Sequence, residues 1–409
     1  MASSIDLDTA LARMLDDLEA GSGRESVRLD AALGRVAAVA PRALSTVPPF
    51  ANSAMDGYAV RSTDARLAAG DALRVVETIF AGAAPREALA DGSCARIFTG
   101  APLPAGADAV IAQEDALPDG DLVRFTEQPS AGRFVRAAGG DVARDAELFE
   151  AGTRLHAGHV ALLAAAGLEA IEVVSRPRVA VLATGDELRP PGTELAPGQI
   201  HDTSSHALPA LLANLPVTVS SVEQVPDDPV VLRDAFERAA AGADAVVSTG
   251  GVSVGDADHV RDVLGGGGHI DFWRLAIKPG RPFAYGRYRG LPFFGLPGNP
   301  VSSMVTFLLL VRPALLRLAG AAPAALPRIR VTLASDVRKA PGRRDFQRAR
   351  RMDATTGAVR AHAFERQDSN VLSVLADADL LLDLPADAGD LPAGSEVHAI
   401  DLAGLLGPR

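Results

Sequence analysis

The chain has little cysteine and little lysine, and it lacks a basic excess. Its single cysteine, Cys94, excludes an internal disulfide and a CxxC metal or redox motif. The 40 basic residues are outnumbered by 51 acidic ones, and the net charge of −11 argues against a protein that follows nucleic-acid phosphates. We therefore predict a protein that binds no nucleic acid and works in the reducing cytoplasm.

Long hydrophobic runs are also missing. The most apolar run, residues 304–311, is far shorter than the ~20 residues that span a bilayer, and Arg312 and Pro313 follow it. The first residues are acidic and lack the positive and then apolar pattern of a signal peptide. We expect no membrane partner, and we interpret residues 304–311 as part of a buried helix.

A chain of 409 residues predicts roughly two to four domains. Short β-like runs broken by glycine and proline fill residues 45–140, and similar runs return in residues 327–409. Between them, continuous apolar strands alternate with helices, which indicates a parallel sheet covered on both faces. The predicted fold class is therefore multidomain α/β plus β, with a central α/β domain and flanking β-rich domains.

The predicted domains have these boundaries. A helical linking domain comprises residues 1–44 and 141–176, and it opens with an amphipathic helix. The β domain comprises residues 45–140, the α/β domain residues 177–326, and the small C-terminal domain residues 327–409.

Three strands of the α/β domain end in loops of similar composition: ATGDEL from Ala183, STGGVSVGDADHV from Ser248 and GLPGNPVSS from Gly295. The carboxyl ends of parallel strands meet at one edge, so these loops should face a shared crevice. One such loop is as easily explained by turn geometry as by binding, but three together favour a ligand. Neither GxxxxGK[ST] nor a helix-opening GxGxxG occurs, so no P-loop or common dinucleotide site is supported.

Hydroxyls, glycine amides and a helix start suit an anionic ligand in this crevice. The segment PGNP makes a stiff turn, in which Asn299 should cap the following helix and Pro300 should occupy its first position. The candidate ligand contacts are Ser248, Thr249, Gly250, Gly251, Ser253, Gly298, Asn299 and Ser302.

Acidic residues accompany two of the loops. Carboxylates beside a phosphate site commonly hold Mg²⁺, which prefers oxygen ligands. Glu187 and Asp258 are the metal candidates, whereas Asp186 and Asp256 are explained as well by helix capping. The pair His156 and His159 has helical spacing but no third ligand nearby, so we interpret both as plain surface residues.

Only two of the basic residues are lysines, Lys278 and Lys339. Lys278 and Arg281 flank proline and glycine in the KPGR turn, where two cations can close on a small dianion. The alternative is a solvated charged turn. Lys339 belongs to no motif, and we expect its replacement to have no effect.

Six ordered motifs resemble those of the molybdopterin molybdenumtransferases, the MoeA family, to which the gephyrin E domain is related. They are PPFANSAMDGYAVR, RIFTGAPLPAGADAVIAQED, ATGDEL, STGGVSVGDADHV, KPGRPFAYG and GLPGNPVSS, and the resemblance spans about residues 7–402. It implies an enzyme that inserts molybdate into adenylylated molybdopterin and releases AMP, with Mg²⁺ assisting. It also implies an elongated homodimer whose site lies between the α/β domain of one subunit and the β domain of the other.

The resemblance assigns functional positions to this chain. In the β domain it points to Asp56 and Thr99, and at the end of that domain to Asp141. In the α/β domain the matched positions are Glu187, Asp258, Lys278, Pro297 and Pro300. Arg281 stands where many members have lysine, which keeps the charge but changes the geometry. The C-terminal match is loose and offers Arg348, Ser369 and Ser373.

Two alternatives accompany this interpretation. The related molybdopterin adenylyltransferase shares the α/β domain but lacks the β domains and the KPGR turn. A gephyrin-like scaffold would carry an extra domain and a long linker. The adenylyltransferase and the recipient molybdoenzymes are expected contacts of the protein, and the sequence leaves open whether molybdate or tungstate is used.

Overall fold

A computed structural model describes residues 4–251, 263, 266–323, 326–352 and 359–407. Ser253, Asp256 and Asp258 therefore lie outside the described residues. The α-helices of the described part are α1 (Leu7–Asp17), α2 (Ala65–Ala69), α3 (Ala157–Ala165), α4 (Ser204–Leu212), α5 (Pro229–Gly242), α6 (Pro300–Leu318) and α7 (Leu372–Asp377). A π-helical segment, Phe307–Val311, interrupts α6.

The strands follow in chain order. The first are β1 (Arg24–Arg28), β2 (Asn52–Ser53), β3 (Gly57–Val60), β4 (Leu73–Ile79), β5 (Ser93–Ile97), β6 (Ala109–Ala112), β7 (Ala116–Asp119), β8 (Leu122–Phe125), β9 (Val135–Arg136), β10 (Ala170–Val174), β11 (Arg178–Thr184) and β12 (Leu188–Arg189). The others are β13 (Ile200–His201), β14 (Thr218–Val225), β15 (Ala245–Thr249), β16 (Gly268–Arg274), β17 (Ile277–Lys278), β18 (Pro282–Tyr288), β19 (Leu291–Leu296), β20 (Arg328–Leu333), β21 (Arg344–Met352), β22 (Arg360–Ala363), β23 (Leu380–Leu384) and β24 (Glu396–Asp401).

The β domain is built on a six-stranded sheet in the order β6-β3-β5-β4-β8-β7. Its apolar side chains form a core on each face of the sheet. Cys94 is fully buried there, and burial raises the pKa of its thiol to about 12, as expected of a small core residue. In the linking domain, β1 pairs with β10 and α3 packs beside them.

The α/β domain contains a six-stranded sheet in the order β14-β11-β15-β19-β18-β16. The first four strands are parallel, as predicted, and β18 and β16 extend one edge in the antiparallel sense. Val181 and Val247 face a core that includes α4 and α6, while Leu182 and Val246 face a core that includes α5. The sheet is therefore covered on both faces, which is why its strands read as continuous apolar runs.

Helix α1 belongs by packing to the α/β domain rather than to the linking domain in which the sequence places it. Leu7, Met14 and Leu18 join the same core as the central helix α6. In the described part of the chain, α6 alone is long and apolar enough to cross a membrane, but 72% of its apolar stretch is buried inside the protein. It is a core helix, which confirms the interpretation of residues 304–311.

The C-terminal domain is a small closed barrel. Its strands run β21-β22-β20-β24-β23, the additional pairing of β23 with β21 closes the ring, and β17 of the α/β domain adds to β21. Lys339 lies at its edge, 5% exposed, and its Nζ donates to the carbonyls of Ala340, Ala386 and Ala388. Removing the ammonium would leave these acceptors unpaired, so we expect Lys339→Ala to lower the stability. The expectation that it leaves the molybdate dependence unchanged stays a prediction.

Candidate active site

The three glycine-rich loops meet at one edge of the α/β sheet. β11, β15 and β19 are parallel neighbours, and Thr249 lies in register between Ala183 and Leu296. The Thr184 hydroxyl donates to the carbonyl of Thr249 over 3.1 Å. The Gly250 amide donates to the carbonyl of Leu296 over 3.2 Å. The convergence predicted from the alternation of strands and helices is confirmed.

Glycine at position 250 is required by the packing of this edge. Its φ is +83°, and a Cβ there would lie 2.5 Å from the carbonyl oxygen of Thr184. A Cβ at Gly298, in the third loop, would lie 3.8 Å from the Cα of Gly250. Gly250 therefore lets the first two loops approach one another closely, whatever ligand they hold, whereas the 3.8 Å contact at position 298 would tolerate a side chain.

The hydroxyls predicted for this edge differ in accessibility. Ser248 is fully buried, and its Oγ has no hydrogen-bond partner among the described residues. Thr249 is 2% exposed and lies within the sheet, whereas Ser302, in the first turn of α6, lines the cleft described below. A ligand contact by Ser248 or Thr249 stays a prediction.

Glu187 is the acidic residue of the first loop with an open carboxylate. It is exposed, and a Cβ at Gly185 would lie 2.6 Å from its Oε2. Asp186 instead accepts a hydrogen bond from the Asp227 amide over 3.0 Å. The capping alternative for Asp186 is wrong, because β12 follows it and Asp228 is the N-cap residue of α5. The described residues contain no group of three or more His, Cys, Asp or Glu side chains that could hold a metal. Glu187 supplies a hard oxygen ligand that fits Mg²⁺, and the metal site stays a prediction.

The KPGR turn is packed between the α/β domain and the C-terminal barrel. Because β17 pairs with β21, Lys278 lies beside Asp345, and its Nζ is 3.7 Å from Asp345 Oδ2. The Asp345 side chain is 6% exposed and that of Lys278 is 48% exposed. Gly280 has a φ of +98°, and a Cβ there would overlap Thr306 Oγ1. The backbone of the turn is therefore held from two sides, while the side chains of Lys278 and Arg281 are exposed. The oxyanion clamp stays a prediction.

A cleft of about 500 Å³ opens between this turn and the barrel. It is lined by Lys278, Pro279, Gly280, Arg281, Pro282, Ser302, Arg343, Glu365, Gln367, Asp368 and Ser369. Three cations, two hydroxyls and the start of α6 suit a small oxyanion, and the carboxylates of Glu365 and Asp368 also line the cleft. Sequence reasoning missed Arg343, which the pairing of β17 with β21 brings to the KPGR turn, and Gln367, whose side chain bonds the backbone of Arg348 on β21.

Asn299 joins the third loop to the C-terminal domain. Asn299 is the N-cap residue of α6, as predicted, but its side chain makes no capping hydrogen bond: Asn299 Nδ2 donates to Ser369 Oγ over 3.1 Å instead. The reason is that the Val301 amide, which a cap would bind, already donates to the carbonyl of Ser369 over 3.2 Å. Pro300 occupies the first turn of the helix, as predicted, and Pro297 precedes the turn.

Arg348 lies beneath the Ser369 loop and outside the cleft lining. It is fully buried, its Nη2 donates to the carbonyl of Asp368 over 3.0 Å, and its amide donates to Gln367 Oε1 over 2.9 Å. Burial lowers the pKa of Arg348. Arg348 thus positions the loop, while Ser373 is exposed on α7.

Asp56 and Thr99 form a bonded pair at one end of the β-domain sheet. Asp56 Oδ1 accepts hydrogen bonds from the amide and the hydroxyl of Thr99, each over 2.8 Å. These two bonds, and more weakly the charge of Arg96, lower the pKa of Asp56. The two residues that the resemblance assigns to this domain are therefore hydrogen-bonded neighbours. The lowered pKa favours the ionised form of the Asp56 carboxylate.

Over the described residues, no hydrogen bond or ion pair joins the β domain to the α/β domain. The chain enters the β domain after Val47 and leaves it near Asp141. The amides of Asp141 and Val142 both donate to the carbonyl of Val47 over 3.0 Å, and the Asp141 side chain is exposed. The structure thus leaves Asp56 and Thr99 unconnected to the cleft, and Asp141 marks the joint between domains.

Models of three protein families match successive parts of the chain. "MoeA N-terminal region (domain I and II)" matches residues 5–167, and "Probable molybdopterin binding domain" matches residues 180–317. "MoeA C-terminal region (domain IV)" matches residues 330–402. The matches cover the β-rich parts of the chain as well as the α/β domain.

Similar proteins align over nearly the whole length. The molybdopterin molybdenumtransferase of Haemophilus influenzae is 37% identical, over 98% of this chain and 99% of that protein. The molybdopterin molybdenumtransferase of a Nostoc species is 34% identical, over 98% of this chain and 94% of that protein. A crystal structure of a molybdopterin biosynthesis MoeA protein from Pyrococcus horikoshii OT3 matches with a TM-score of 0.85 at 29% identity, over 98% of this chain and 100% of that one.

Proposed function

The chain belongs to the molybdopterin molybdenumtransferase family, and we propose that it inserts molybdate into adenylylated molybdopterin and releases AMP with the help of Mg²⁺. Membership makes it a transferase of molybdenum cofactor biosynthesis. The observation that carries the finer proposal is the cleft of about 500 Å³ where the KPGR turn, the start of α6 and the Ser369 loop converge.

Lys278 and Arg281 would hold the molybdate. Molybdate is a tetrahedral dianion that accepts hydrogen bonds at each oxygen. The Lys278 ammonium has three N–H donors, and the contact with Asp345 occupies one of them. The half-exposed Lys278 therefore keeps donors free for the cleft, and Arg281 adds a second positive charge. Charge-assisted hydrogen bonds from both would fix one oxyanion.

The adenylylated pterin would lie along the three-loop edge. The Gly251 amide and the start of α6 suit its phosphates, whereas the Gly250 amide already donates to the carbonyl of Leu296. Glu187 and Asp258 would hold Mg²⁺, which when bound neutralises charge on the phosphate oxygens. The chain's own residues then act by placing molybdate beside the bond to AMP, and much of the rate enhancement would come from this positioning.

A second subunit would complete the site. We propose a cytoplasmic homodimer in which the Asp56 and Thr99 pair of one subunit faces the cleft of the other. The absence of a hydrogen bond or ion pair between the β and α/β domains in the described residues supports this arrangement. An adenylyltransferase would supply the substrate, and a recipient molybdoenzyme would take the product.

The test is AMP release from adenylylated molybdopterin in the presence and absence of molybdate and of Mg²⁺. We expect AMP only when both are present, with no ATP consumed. Release of AMP that is independent of molybdate would contradict the insertion reaction, and consumption of ATP would favour the adenylyltransferase alternative.

A further inference from the structure

Two arginines line the cleft from its two walls. Arg281 belongs to the KPGR turn of the α/β domain, and Arg343 lies at the edge of the C-terminal barrel. Both side chains are exposed, and among the described residues neither guanidinium has a hydrogen-bond or ion-pair partner. Arg344, the next residue, is by contrast bonded to both Asp383 and Asp8. We call Arg281 and Arg343 the free arginines.

The pairing of β17 with β21 directs Arg343 towards the cleft. Lys278 lies beside Asp345 in this pairing, and its Nζ is 3.7 Å from Asp345 Oδ2. Successive side chains of an extended chain point to opposite faces, so Arg343 shares the face of Asp345 and Arg344 takes the other. Arg343 therefore points to the side of the sheet on which Lys278 lies, in agreement with its place in the cleft lining.

The backbone on both sides of Arg343 is fixed. The Gly342 amide donates to the carbonyl of Ala386 over 2.7 Å, and the Arg344 amide donates to the carbonyl of Ala276 over 2.9 Å. The φ of Gly342 is +108°, which favours glycine at this bend. The guanidinium of Arg343 is therefore carried on a fixed Cα, and a ligand has only the side-chain torsions left to order.

The charges around the cleft leave a positive excess at the free arginines. Lys278 is paired with Asp345. Burial lowers the pKa of Arg348, and the charges of Asp345 and Asp368 oppose this effect, so both carboxylates lie close enough to offset the buried guanidinium. Glu365 is then the one carboxylate of the cleft lining left to balance the two free arginines, and it forms no ion pair with either in the described part of the chain. An anion bound between the free arginines would relieve this excess.

We propose that Arg343 is a third molybdate ligand, supplied by the C-terminal barrel, so that the oxyanion is held between the barrel and the KPGR turn. This inference rests on the proposed function, which supplies the tetrahedral dianion and places it at Lys278 and Arg281. A guanidinium presents its N–H donors in a planar fork, which can bind two oxygens of one oxyanion at once. The barrel then contributes a ligand to the site, and the α/β domain alone does not complete it.

The experiment titrates inorganic molybdate and, separately, AMP into the unaltered protein and three variants, at about 0.15 M salt so that distant charges are screened. Arg343→Ala should raise the dissociation constant for molybdate about ten- to hundredfold, the effect of losing one charge-assisted contact. Arg343→Lys should recover part of the affinity, because it keeps the charge and loses the fork. Arg338→Ala is the matched control and should bind molybdate normally, because Arg338 is an exposed arginine of the same domain outside the cleft lining.

A second measurement separates a ligand contact from a structural role. Without molybdate, the unfolding midpoint of Arg343→Ala should equal that of the unaltered protein, because an exposed cation without a partner adds little stability. Molybdate at one fixed concentration should raise the midpoint of the unaltered protein and raise that of Arg343→Ala less, since a ligand stabilises the folded state according to its affinity. A structural role would instead lower the midpoint of Arg343→Ala when molybdate is absent.

Several outcomes would overturn this inference. They are unchanged molybdate binding by Arg343→Ala, equal weakening by Arg338→Ala, and no molybdate binding by the unaltered protein. Weaker binding of AMP with unchanged binding of molybdate would also overturn it, and would assign Arg343 to a nucleotide phosphate. Because the titrations need no turnover, failure of the insertion reaction alongside weakened molybdate binding by Arg343→Ala would count against the proposed function alone.

Discussion

The two lysines of this arginine-rich chain show how a single side chain can be chosen for its donor geometry. The ammonium of Lys339 bonds three backbone carbonyls at 2.8 to 3.3 Å. An ammonium has three donors around one atom, whereas the planar fork of arginine suits two parallel acceptors. Lys278 pairs with one buried carboxylate and keeps its other donors towards the cleft.

We predict that Lys278→Ala raises the molybdate concentration needed for AMP release about ten- to hundredfold. The change removes one charge-assisted contact, a loss of about 1.5–3 kcal/mol. Lys278→Arg should recover part of the loss by keeping the charge. Arg330→Ala is the matched control, because Arg330 is an exposed cation of β20 outside the cleft. A molybdate dependence unchanged in folded Lys278→Ala would exclude this residue as an oxyanion ligand.

We predict that Lys339→Ala lowers the free energy of unfolding by about 1–3 kcal/mol, the usual cost of leaving buried polar groups unpaired. The measurement is denaturant unfolding monitored by circular dichroism, with Arg330→Ala again as the control. Equal unfolding midpoints for Lys339→Ala and the unaltered protein would mean that water replaces the lost donors.

Helix α3 shows how two residues that look like plain surface histidines set the start of an element. His156 Nδ1 accepts from the Gly158 amide over 3.1 Å, and His159 Nδ1 accepts from the His156 amide over 3.2 Å. Together they form a capping box. Each bond needs an unprotonated ring nitrogen, and a positive charge at a helix N-terminus is unfavourable.

We predict that acid weakens this cap. Burial, and then the charge of His156, lowers the pKa of His159 below its ordinary value of 6.5. The stability from the neutral ring is therefore present above pH 6.5 and is lost as the pH falls through the lower folded value. The control variant is His159→Gln, which keeps an acceptor but does not titrate. Between pH 7.5 and pH 5 the free energy of unfolding of the unaltered protein should fall by about 0.5–2 kcal/mol more than that of the variant. The measurement is denaturant unfolding at each pH. Identical pH profiles of the two proteins would refute the titrating cap.

The elements also show what the sequence predicts and what it does not. The strands of the α/β domain follow from their continuous apolar runs, and the edge where the loops meet follows from their parallel order. The side-chain partner of Asn299 could not be predicted, because it depends on Ser369 in a distant loop. The same holds for Arg343 in the cleft and for the packing of α1, since each depends on contacts that local pattern does not encode.

At the scale of the whole molecule, the domains are joined unequally. The α/β domain and the C-terminal barrel share a strand pairing and the bonds of Asn299 and Val301 to Ser369. The β domain is attached through two chain crossings, bonded to each other at Val47 and Val142. The α/β domain and the barrel therefore form the cleft between them, and the β domain is joined to the linking domain at these two crossings.

We predict that two variants, each with little activity at a molybdate concentration that is limiting for Lys278→Ala, restore activity when they are combined in one dimer. Asp56→Asn removes the carboxylate of the β domain, and Lys278→Ala removes the ammonium of the cleft, so a mixed dimer keeps one site with both. After subunit exchange at equal amounts, AMP release should recover to about a quarter of the unaltered level, because half of the dimers are mixed and each has one intact site. Light scattering checks that the mixture is dimeric.

The control is a mixture of Asp56→Asn with Asp56→Asn,Lys278→Ala, which contains no intact site in any pairing. Recovery in this control would show residual activity rather than complementation. No recovery in the test mixture, with exchange demonstrated by differently tagged subunits, would place Asp56 and Lys278 in the site of the same subunit.

The packing of α1 against α6 also bears on the order of synthesis. The two helices form one core, yet roughly 300 residues separate Leu18 from Leu318. A ribosome adds about 5–20 residues per second, so the apolar face of α1 waits about 15–60 s before α6 emerges. During that interval the core around Leu7, Met14 and Leu18 lacks the part that α6 supplies. The apolar face of α1, the first helix to be made, therefore stays exposed to misassembly until α6 emerges.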